Sequence, residues 1–282
     1  MNYSFPRYLE AKATVDDRAL NGRLWDRLWQ ELPTSVESDP LKILDVGAGT
    51  GTMITRILNS NRLNRAAYTA VDADQQNIDV LNAKRQRWGS THPNFIIRAE
   101  AKTIEAYVTQ ATKDTRFDLI IAHALLDLVD LPRTLTQLFS LLKPNGLFYF
   151  TINFDGGTIF EPATSFGRAF DQRMIELYHS TMDNPYSGRQ LIHHVQQAGG
   201  VPLAAGSSDW VVFAQNGRYP ADEQYFLHYI LHFFDRFLKD HPALNQPQLP
   251  QWLAERREQI EQGQLVYIAH QLDIIGRLAS IA

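Results

Sequence analysis

The 282-residue chain contains no cysteine, which excludes disulfide bonds, thiolate metal sites and a cysteine nucleophile. Basic residues are not concentrated either: the formal net charge is -4, and Arg256-Arg257 is the densest basic pair. A protein that binds nucleic acid usually presents a basic face, so we expect no nucleic-acid partner.

Long apolar runs are also missing. The longest, residues 119–129, includes His123 and Asp127 and is too short to span a bilayer.

A secretory signal is a further feature that the sequence lacks. Residues 1–12 contain no basic start followed by an apolar stretch. We therefore expect a cytoplasmic protein without a membrane partner. Hydrophobic residues make up 44% of the chain and charged residues 21%, which is the composition of an ordinary globular protein with a sizeable core.

Short apolar runs alternate with amphipathic stretches over the first half of the chain. Leucines four residues apart predict one helix over residues 17–32, followed by a polar linker at 33–40. Strands are predicted at 42–46, 67–71, 95–98, 117–122 and 146–153. Helices are predicted after the first four of them, up to Asn59 and at 75–87, 103–109 and 132–142. This alternation indicates right-handed crossovers and a mostly parallel sheet.

The pattern is less regular after residue 153. Helices are predicted at about 166–179, 188–198, 222–238 and 250–262, and strands within 201–213 and 265–269. We expect the following organisation: an N-terminal helical cap, 1–40; one α/β domain, 41–282; and lid-like additions to that domain, 154–185 and 219–262.

The sharpest motif is the segment from Asp45 to Gly51, which reads D-V-G-A-G-T-G. A strand that turns directly into a helix needs positive φ, and a ligand lying on the turn leaves no room for Cβ. Asp72 follows about 20 residues later at the end of the second predicted strand, where a carboxylate can accept hydrogen bonds from ribose hydroxyls. The dinucleotide fingerprint G-x-G-x-x-G would need glycine at 52, where the chain has Thr52. A nucleoside without a pyrophosphate therefore fits better than a nicotinamide dinucleotide.

Four segments resemble, in order and spacing, the motifs of class I S-adenosylmethionine-dependent methyltransferases. They are residues 43–51, 68–74 (YTAVDAD), 117–129 (FDLIIAHALLDLV) and 141–150 (LLKPNGLFYF). The resemblance covers residues 41–153, with Asn145 where the family usually has glycine. It implies a doubly wound α/β fold with a mostly parallel seven-stranded sheet, and helical insertions after strand five and between strands six and seven. It also implies S-adenosylmethionine as methyl donor and S-adenosylhomocysteine as product.

The resemblance carries a set of cofactor-binding residues onto this chain. The turn from Asp45 to Gly51 would cradle the methionine end, Asp72 would hold the ribose, and Glu100 would face the adenine amino group. The full set is Asp45, Gly47, Ala48, Gly49, Gly51, Asp72, Ala73, Asp74, Glu100, Ala101 and His123.

His123 directly follows the fourth predicted strand, so it should point into the cleft between cofactor and acceptor. A histidine near its ordinary pKa can act as a general base. The alternative, which we favour, is a residue that packs beside the cofactor. Tyr8 or Arg18 of the N-terminal segment is either a further ligand contact or a packing residue at the sheet edge.

No metal site is expected. His193-His194 and the pair His228 and His232 invite that interpretation, but no HExxH motif surrounds them and their neighbours do not complete a ligand set.

The sequence therefore favours methyl transfer by in-line displacement to a small, largely apolar acceptor, with Tyr178, Tyr225 or Tyr229 as candidate contacts. The alternatives are an RNA or protein methyltransferase and a non-catalytic protein that binds S-adenosylmethionine. The N-P-P-Y motif of nucleobase amino methyltransferases is absent, since strand four ends in Ala122-His-Ala-Leu125. The acceptor atom (O, N or C) and the oligomeric state are not specified by the sequence.

Overall fold

A mixed sheet runs through the computed structural model, which describes residues 3–32, 40–112, 114–244 and 248–279. Within those residues the strands are β1 (Leu41–Val46), β2 (Ala66–Asp72), β3 (Phe95–Ala101), β4 (Phe117–His123), β5 (Leu142–Glu161), β6 (Gly200–Ser207), β7 (Trp210–Val212) and β8 (Val266–Leu278). The helices are α1 (Phe5–Ala11), α2 (Ala13–Ala19), α3 (Gly22–Glu31), α4 (Thr52–Ser60), α5 (Gln75–Thr91), α6 (Ile104–Gln110), α7 (Leu131–Phe139), α8 (Arg168–Ser180), α9 (Ser187–Gln197), α10 (Glu223–Leu238) and α11 (Gln248–Glu261), with a 3-10 turn at Leu126–Leu128. Most of the linker predicted at 33–40 lies outside the described residues.

The strand order is β3-β2-β1-β4-β5-β8-β6. The first five strands are parallel, and β8 runs antiparallel to β5, β6 and β7. β6 and β7 pair with successive stretches of the same edge of β8, since Ser207 lies opposite Leu272 and Trp210 opposite Ala269. The sheet therefore has the predicted mostly parallel, doubly wound arrangement. Its described residues form eight strands instead of the predicted seven, because the edge strand is divided into β6 and β7.

Two strands extend further than the sequence predicts. β5 continues past residue 153 to Glu161, and β8 reaches Leu278 instead of ending at 269. The predicted strand ends at 153, but a bulged pairing with β8 at Gly156 and Gly157 carries it further. A Cβ on Gly157 would lie 2.8 Å from His270 Cβ, so this glycine permits the close pairing.

The single helix predicted over 17–32 is two helices in the structure. α2 ends at Ala19, and α3 starts at Gly22. Asn21 between them caps α3 by accepting a hydrogen bond from the Leu24 amide at 3.3 Å, and its own amide donates to buried Asp273 at 2.9 Å. The four-residue spacing of the leucines continues across this break. Both helices pack against the sheet, α2 against β7 and α3 against β6 and β8.

The N-terminal helices are fastened to the region that follows β6. The Arg7 guanidinium lies 3.1 Å from Asp222, and the Arg18 guanidinium lies 2.6 Å from buried Glu223. Deeper in, the Trp210 indole N–H donates to Asp16 at 2.8 Å. α1 and α2 are thus held against α10 and β7, at the end of the sheet where the parallel strands finish.

The buried hydrophobic side chains of the described residues form three clusters. Two cover the faces of the sheet, and the third lies beyond the carboxyl ends of the parallel strands. The third, here called the aromatic cluster, contains side chains of α1, α8, α10, α11 and β8 and includes Tyr8, Phe160, Phe226, Phe234 and Tyr267. Among the described residues, no helix is long and apolar enough to cross a bilayer.

Candidate functional site

A cavity of about 390 Å³ lies at the carboxyl ends of β1, β2 and β4. In a doubly wound sheet this is where ligands bind. Eight of the residues predicted from the sequence line it: Asp45, Gly47, Ala48, Gly49, Asp72, Ala73, Asp74 and His123. The other three, Gly51, Glu100 and Ala101, do not.

The glycine turn has the predicted left-handed backbone. Gly47, Gly49 and Gly51 have φ of 66°, 53° and 81°. Gly49 lies against α1, where a Cβ would come within 3.0 Å of Leu9 Cδ1. Gly51 also makes room for a packed side chain. Its missing side chain makes room for Trp88 of α5, whose ring carbon would lie 2.7 Å from a Cβ.

Asp72 holds the glycine turn as well as facing the cavity. Its Oδ2 accepts a hydrogen bond from the Gly49 amide at 2.8 Å. Its Oδ1 accepts from the Asp74 amide at 2.9 Å and from the Asn77 side chain at 3.1 Å. These contacts fix the carboxylate at the end of β2, in a position from which its remaining lone pairs can meet ligand hydroxyls.

Asp45 is fully buried at the end of β1, where its Oδ2 accepts a hydrogen bond of 2.7 Å from the Tyr68 hydroxyl. Its Oδ1 has no partner among the described residues. Burial raises the pKa of Asp45 to about 7, and the charge of Asp72 acts in the same direction, while the Tyr68 hydrogen bond opposes it. A cationic ligand group at this end of the cavity would supply the missing partner and stabilise the carboxylate.

Glu100 lies at the side of the cavity and not in its wall. Its carboxylate pairs with the Lys102 ammonium at 2.7 Å. The segment just beyond β3, residues 102–105, lines the cavity instead. These residues, like Asn77, Leu125, Leu128 and Val129 of the same wall, were not predicted from the sequence. The available signal was their place directly after a parallel strand or at the start of the following helix.

The N-terminal contacts also differ from the prediction. Phe5, Leu9 and Lys12 line the cavity. Tyr8 turns away and stacks on Tyr229, with 4.5 Å between ring centroids. Arg18 is committed to Glu223 of α10. Of the two alternatives in the sequence, packing describes Tyr8 and Arg18.

His123 is buried at the end of β4, and both of its ring nitrogens are engaged. Nδ1 lies 2.7 Å from the Thr151 hydroxyl, and Nε2 lies 3.0 Å from Asp16 Oδ2. Asp16 also accepts from Trp210 and pairs with buried Lys12 at 3.0 Å. Burial lowers the pKa of His123 to about 4, although the Asp16 carboxylate opposes the shift.

The protonation states of this network follow from its charges. Burial alone would raise the pKa of Asp16, but Lys12 and His123 hold it well below its ordinary value. An ionised Asp16 makes His123 Nε2 the hydrogen-bond donor, so Nδ1 accepts from Thr151. His123 is thereby a neutral imidazole without a spare lone pair, and this geometry supports the packing role over the general base.

The other histidines stand apart from the cavity. His228 Nε2 lies 2.8 Å from Glu261, and His232 stacks on Tyr3. In the described parts of the chain, no three His, Asp or Glu side chains form a group that could hold a metal.

We expect ligand binding at the cavity to survive exhaustive chelation, because no three described His, Asp or Glu side chains form a group that could hold a metal. Calorimetry of S-adenosylhomocysteine before and after EDTA dialysis tests this. Loss of binding that a divalent ion restores would contradict it.

Comparison with known proteins finds methyltransferases. Residues 44–148 match a family model described as a methyltransferase domain. The chain is 33% identical over 147 residues to a malonyl-[acyl-carrier protein] O-methyltransferase of Halalkalibacterium halodurans, covering 52% of this chain and 51% of that one. It is 31% identical over 129 residues to a mitochondrial 2-methoxy-6-polyprenyl-1,4-benzoquinol methylase of Schizosaccharomyces pombe, covering 45% and 42%. The chain thus matches about half the length of these curated relatives or less.

Solved structures share the fold. One is the YcgJ protein of Bacillus subtilis, with a TM-score of 0.52 at 12% identity, covering 93% of this chain and all of that one. Another, from Bacillus halodurans C-125, bears a methyltransferase description and has a TM-score of 0.53 at 12% identity, covering 90% and 98%. These similarities confirm the predicted Rossmann-like fold.

Proposed function

We propose that this chain transfers the sulfonium methyl group of S-adenosylmethionine to a small, largely apolar acceptor. Through its domain at 44–148, the chain belongs to the class I S-adenosylmethionine-dependent methyltransferase family. S-adenosylmethionine is the cofactor of the family, as predicted. When bound, it supplies an electrophilic methyl group and a neutral thioether leaving group. The transfer itself, the acceptor class and a cytoplasmic location are parts of the proposal.

The observation that carries the proposal is the orphaned Oδ1 of buried Asp45, in a cavity that also holds Asp72 and the bare glycine turn. An ammonium group at the methionine end would pair with Asp45. Ribose hydroxyls would donate to Asp72, and Gly49 leaves the backbone accessible to the ligand. The cavity therefore offers groups of suitable chemistry to the ammonium group and to the ribose of the cofactor.

A small and apolar acceptor is supported by the aromatic cluster. α10 packs on α1, beyond the strand ends and beside the cavity, rather than on the far side of the sheet. Such a cover would orient the acceptor and exclude water while leaving little room for a macromolecule. The net charge of -4 likewise does not favour a polyanion.

The same proposal gives the N-terminal helical cap and the lid-like segments 154–185 and 219–262 a common role. α1 contributes Phe5 and Leu9 to the wall of the cofactor cavity, and α8, α10 and α11 contribute the aromatic cluster beside it. We propose that together they enclose the two reactants.

Replacing Asp72 with alanine is expected to weaken S-adenosylhomocysteine binding at least about tenfold. The variant loses charge-assisted hydrogen bonds to the ribose, each worth about 1.5–3 kcal/mol, and frees the Gly49 amide. Isothermal titration calorimetry of the folded variant measures the effect.

Asp79→Ala is the matched control, because it removes the same charge from an exposed position on α5. Unchanged affinity in folded Asp72→Ala would refute the ribose assignment. A loss as large in Asp79→Ala would show that net charge, and not the site, sets the affinity.

A further inference from the structure

Lys12 brings a positive charge into the wall of the cofactor cavity. It lies at the junction of α1 and α2 and is only 5% exposed. Its Nζ lies 3.0 Å from Asp16 Oδ2, and no other described residue places an acceptor within hydrogen-bond or ion-pair distance of it. An ammonium group has three N–H donors, so Asp16 leaves donors that a ligand in the cavity can use. A buried cation with unused donors indicates an anionic ligand group.

Asp16 holds Lys12 in this position. Its Oδ2 also lies 3.0 Å from His123 Nε2, and its Oδ1 accepts from the Trp210 indole at 2.8 Å. The Trp210 ring lies 5.5 Å from Lys12 Nζ on another side. Because His123 and Trp210 also donate to it, the Asp16 carboxylate stays hydrogen-bonded while Lys12 donates to a ligand as well. Asp16 is therefore a positioning residue for Lys12.

The strand order places Lys12 on the other side of β1 from the ribose position. β1 lies between β2 and β4. Asp72 ends β2, whereas Lys12 is tied through Asp16 to His123 at the end of β4. A nucleoside whose ribose lies at Asp72 and whose chain crosses the glycine turn on β1 therefore directs its far end toward Lys12.

Asp45 supplies the opposite charge between these two positions. It lies near the end of β1, and its buried Oδ1 has no partner among the described residues. The far end of S-adenosylmethionine and of S-adenosylhomocysteine is an α-amino acid, which carries an ammonium group and a carboxylate on one carbon. The ammonium group complements Asp45 and the carboxylate complements Lys12, so the pair matches both charges of the ligand.

We propose, on the premise of the proposed function, that Lys12 binds the α-carboxylate of the cofactor and makes the cavity selective for nucleosides that carry this group. The carboxylate accepts charge-assisted hydrogen bonds from Nζ in a wall that is shielded from water. A nucleoside without the carboxylate leaves the Lys12 donors without an acceptor and binds less tightly. Lys12 lies outside residues 41–153, which carry the methyltransferase motifs, so those motifs do not assign it this role.

Two nucleosides test the parent protein. S-adenosylhomocysteine carries both charged groups, and decarboxylated S-adenosylhomocysteine lacks only the carboxylate. In isothermal titration calorimetry we expect S-adenosylhomocysteine to bind at least about tenfold more tightly than its decarboxylated form. Equal affinities would overturn the role of Lys12 and leave the cofactor cavity in place.

Lys12→Met removes the ammonium group and keeps an unbranched side chain. It should weaken S-adenosylhomocysteine binding at least about tenfold and change the affinity of the decarboxylated form less than about twofold. Lys12→Gln, which keeps a neutral donor beside Asp16, should lose the same preference and serves if Lys12→Met does not fold. Asp45→Asn should weaken both nucleosides and retain the preference, because both keep the ammonium group. A folded Lys12 variant that still prefers the carboxylate would contradict the proposal.

Lys102→Met is the matched control. Lys102 also lines the cavity, but it follows β3 and pairs with Glu100 at 2.7 Å. Its loss should leave the preference for the carboxylate unchanged. Equal loss of the preference in Lys102→Met and Lys12→Met would overturn direct contact with Lys12, since the net charge of the cavity would then set it. If neither nucleoside binds the parent protein, the proposed function falls, and this inference falls with it.

Discussion

Replacing Gly49 with valine is expected to abolish S-adenosylhomocysteine binding. Gly49 has a φ of 53°, a conformation that costs an L-residue about 1–2 kcal/mol. Its Cβ would stand 3.0 Å from Leu9 Cδ1, in the gap between the turn and α1. The two γ-methyl groups of valine would then occupy space that a cofactor on the turn must use. We expect affinity to fall more than about 100-fold, the equivalent of about 2.7 kcal/mol.

Gly89→Val controls for the loss of a glycine, since nothing lies within 4 Å of a Cβ at that position on α5. Circular dichroism and thermal unfolding establish that each variant is folded. If Gly49→Val fails to fold, Gly49→Ala, which adds one carbon, is expected to fold and bind more weakly. Parent-like affinity in a folded Gly49→Val would mean that the ligand does not lie on the turn.

The second large effect concerns stability below neutral pH. The pKa of His123 in the folded protein is about 4, against about 6.5 for an unperturbed histidine. Because the unfolded state binds the proton more tightly, this group contributes its full stability above pH 6.5 and loses it as the pH falls toward 4. The loss by pH 4 is expected to be about 3 kcal/mol.

His123→Gln removes the titrating group and keeps a side chain that can donate to Asp16. The free energy of unfolding by urea should therefore fall between pH 7.5 and 4 by about 3 kcal/mol more in the parent protein than in this variant. Asp45 and Asp127, whose pKa values are raised by burial, act with the opposite sign, but both remain in the two proteins and cancel in the comparison.

Exposed His193 provides the control, because His193→Gln makes the same substitution outside the buried network. If the free energy of unfolding had the same pH dependence in the parent protein and in His123→Gln, burial would not lower the pKa of His123. The hydrogen bonds described for the buried network would then be wrong.

Local sequence patterns were sufficient to predict the parallel strands of the sheet and the end of the cavity that β1 and β2 form. The residues of β1 and β2 and their glycine turn lie within a continuous strand-turn-helix segment, so spacing alone places Asp45, Gly49 and Asp72 together. A sequence shows Gly51 but not Trp88, which packs against it from α5, so this packing demand for a glycine was not predicted.

The residues that the sequence did not reveal depend on long-range contacts. Lys12 reads as an exposed charge in the sequence, yet it is 5% exposed because Asp16 pairs with it. The break at Asn21 depends on Asp273, which is 252 positions away. No periodicity within a helix encodes such partners, so the N-terminal side of the cavity and the aromatic cluster became visible only in the folded chain.

The attachments of the N-terminal helices have a consequence for biosynthesis. Asp16 and Arg18 leave the ribosome some 200 residues before their partners Trp210 and Glu223. The five parallel strands can pair while translation continues, whereas α1 and α2 must wait with an ionised aspartate and apolar side chains uncovered. The roof of the cofactor cavity is therefore assembled after the parallel strands, and nascent chains are expected to acquire cofactor affinity only once Trp210 and Glu223 have emerged.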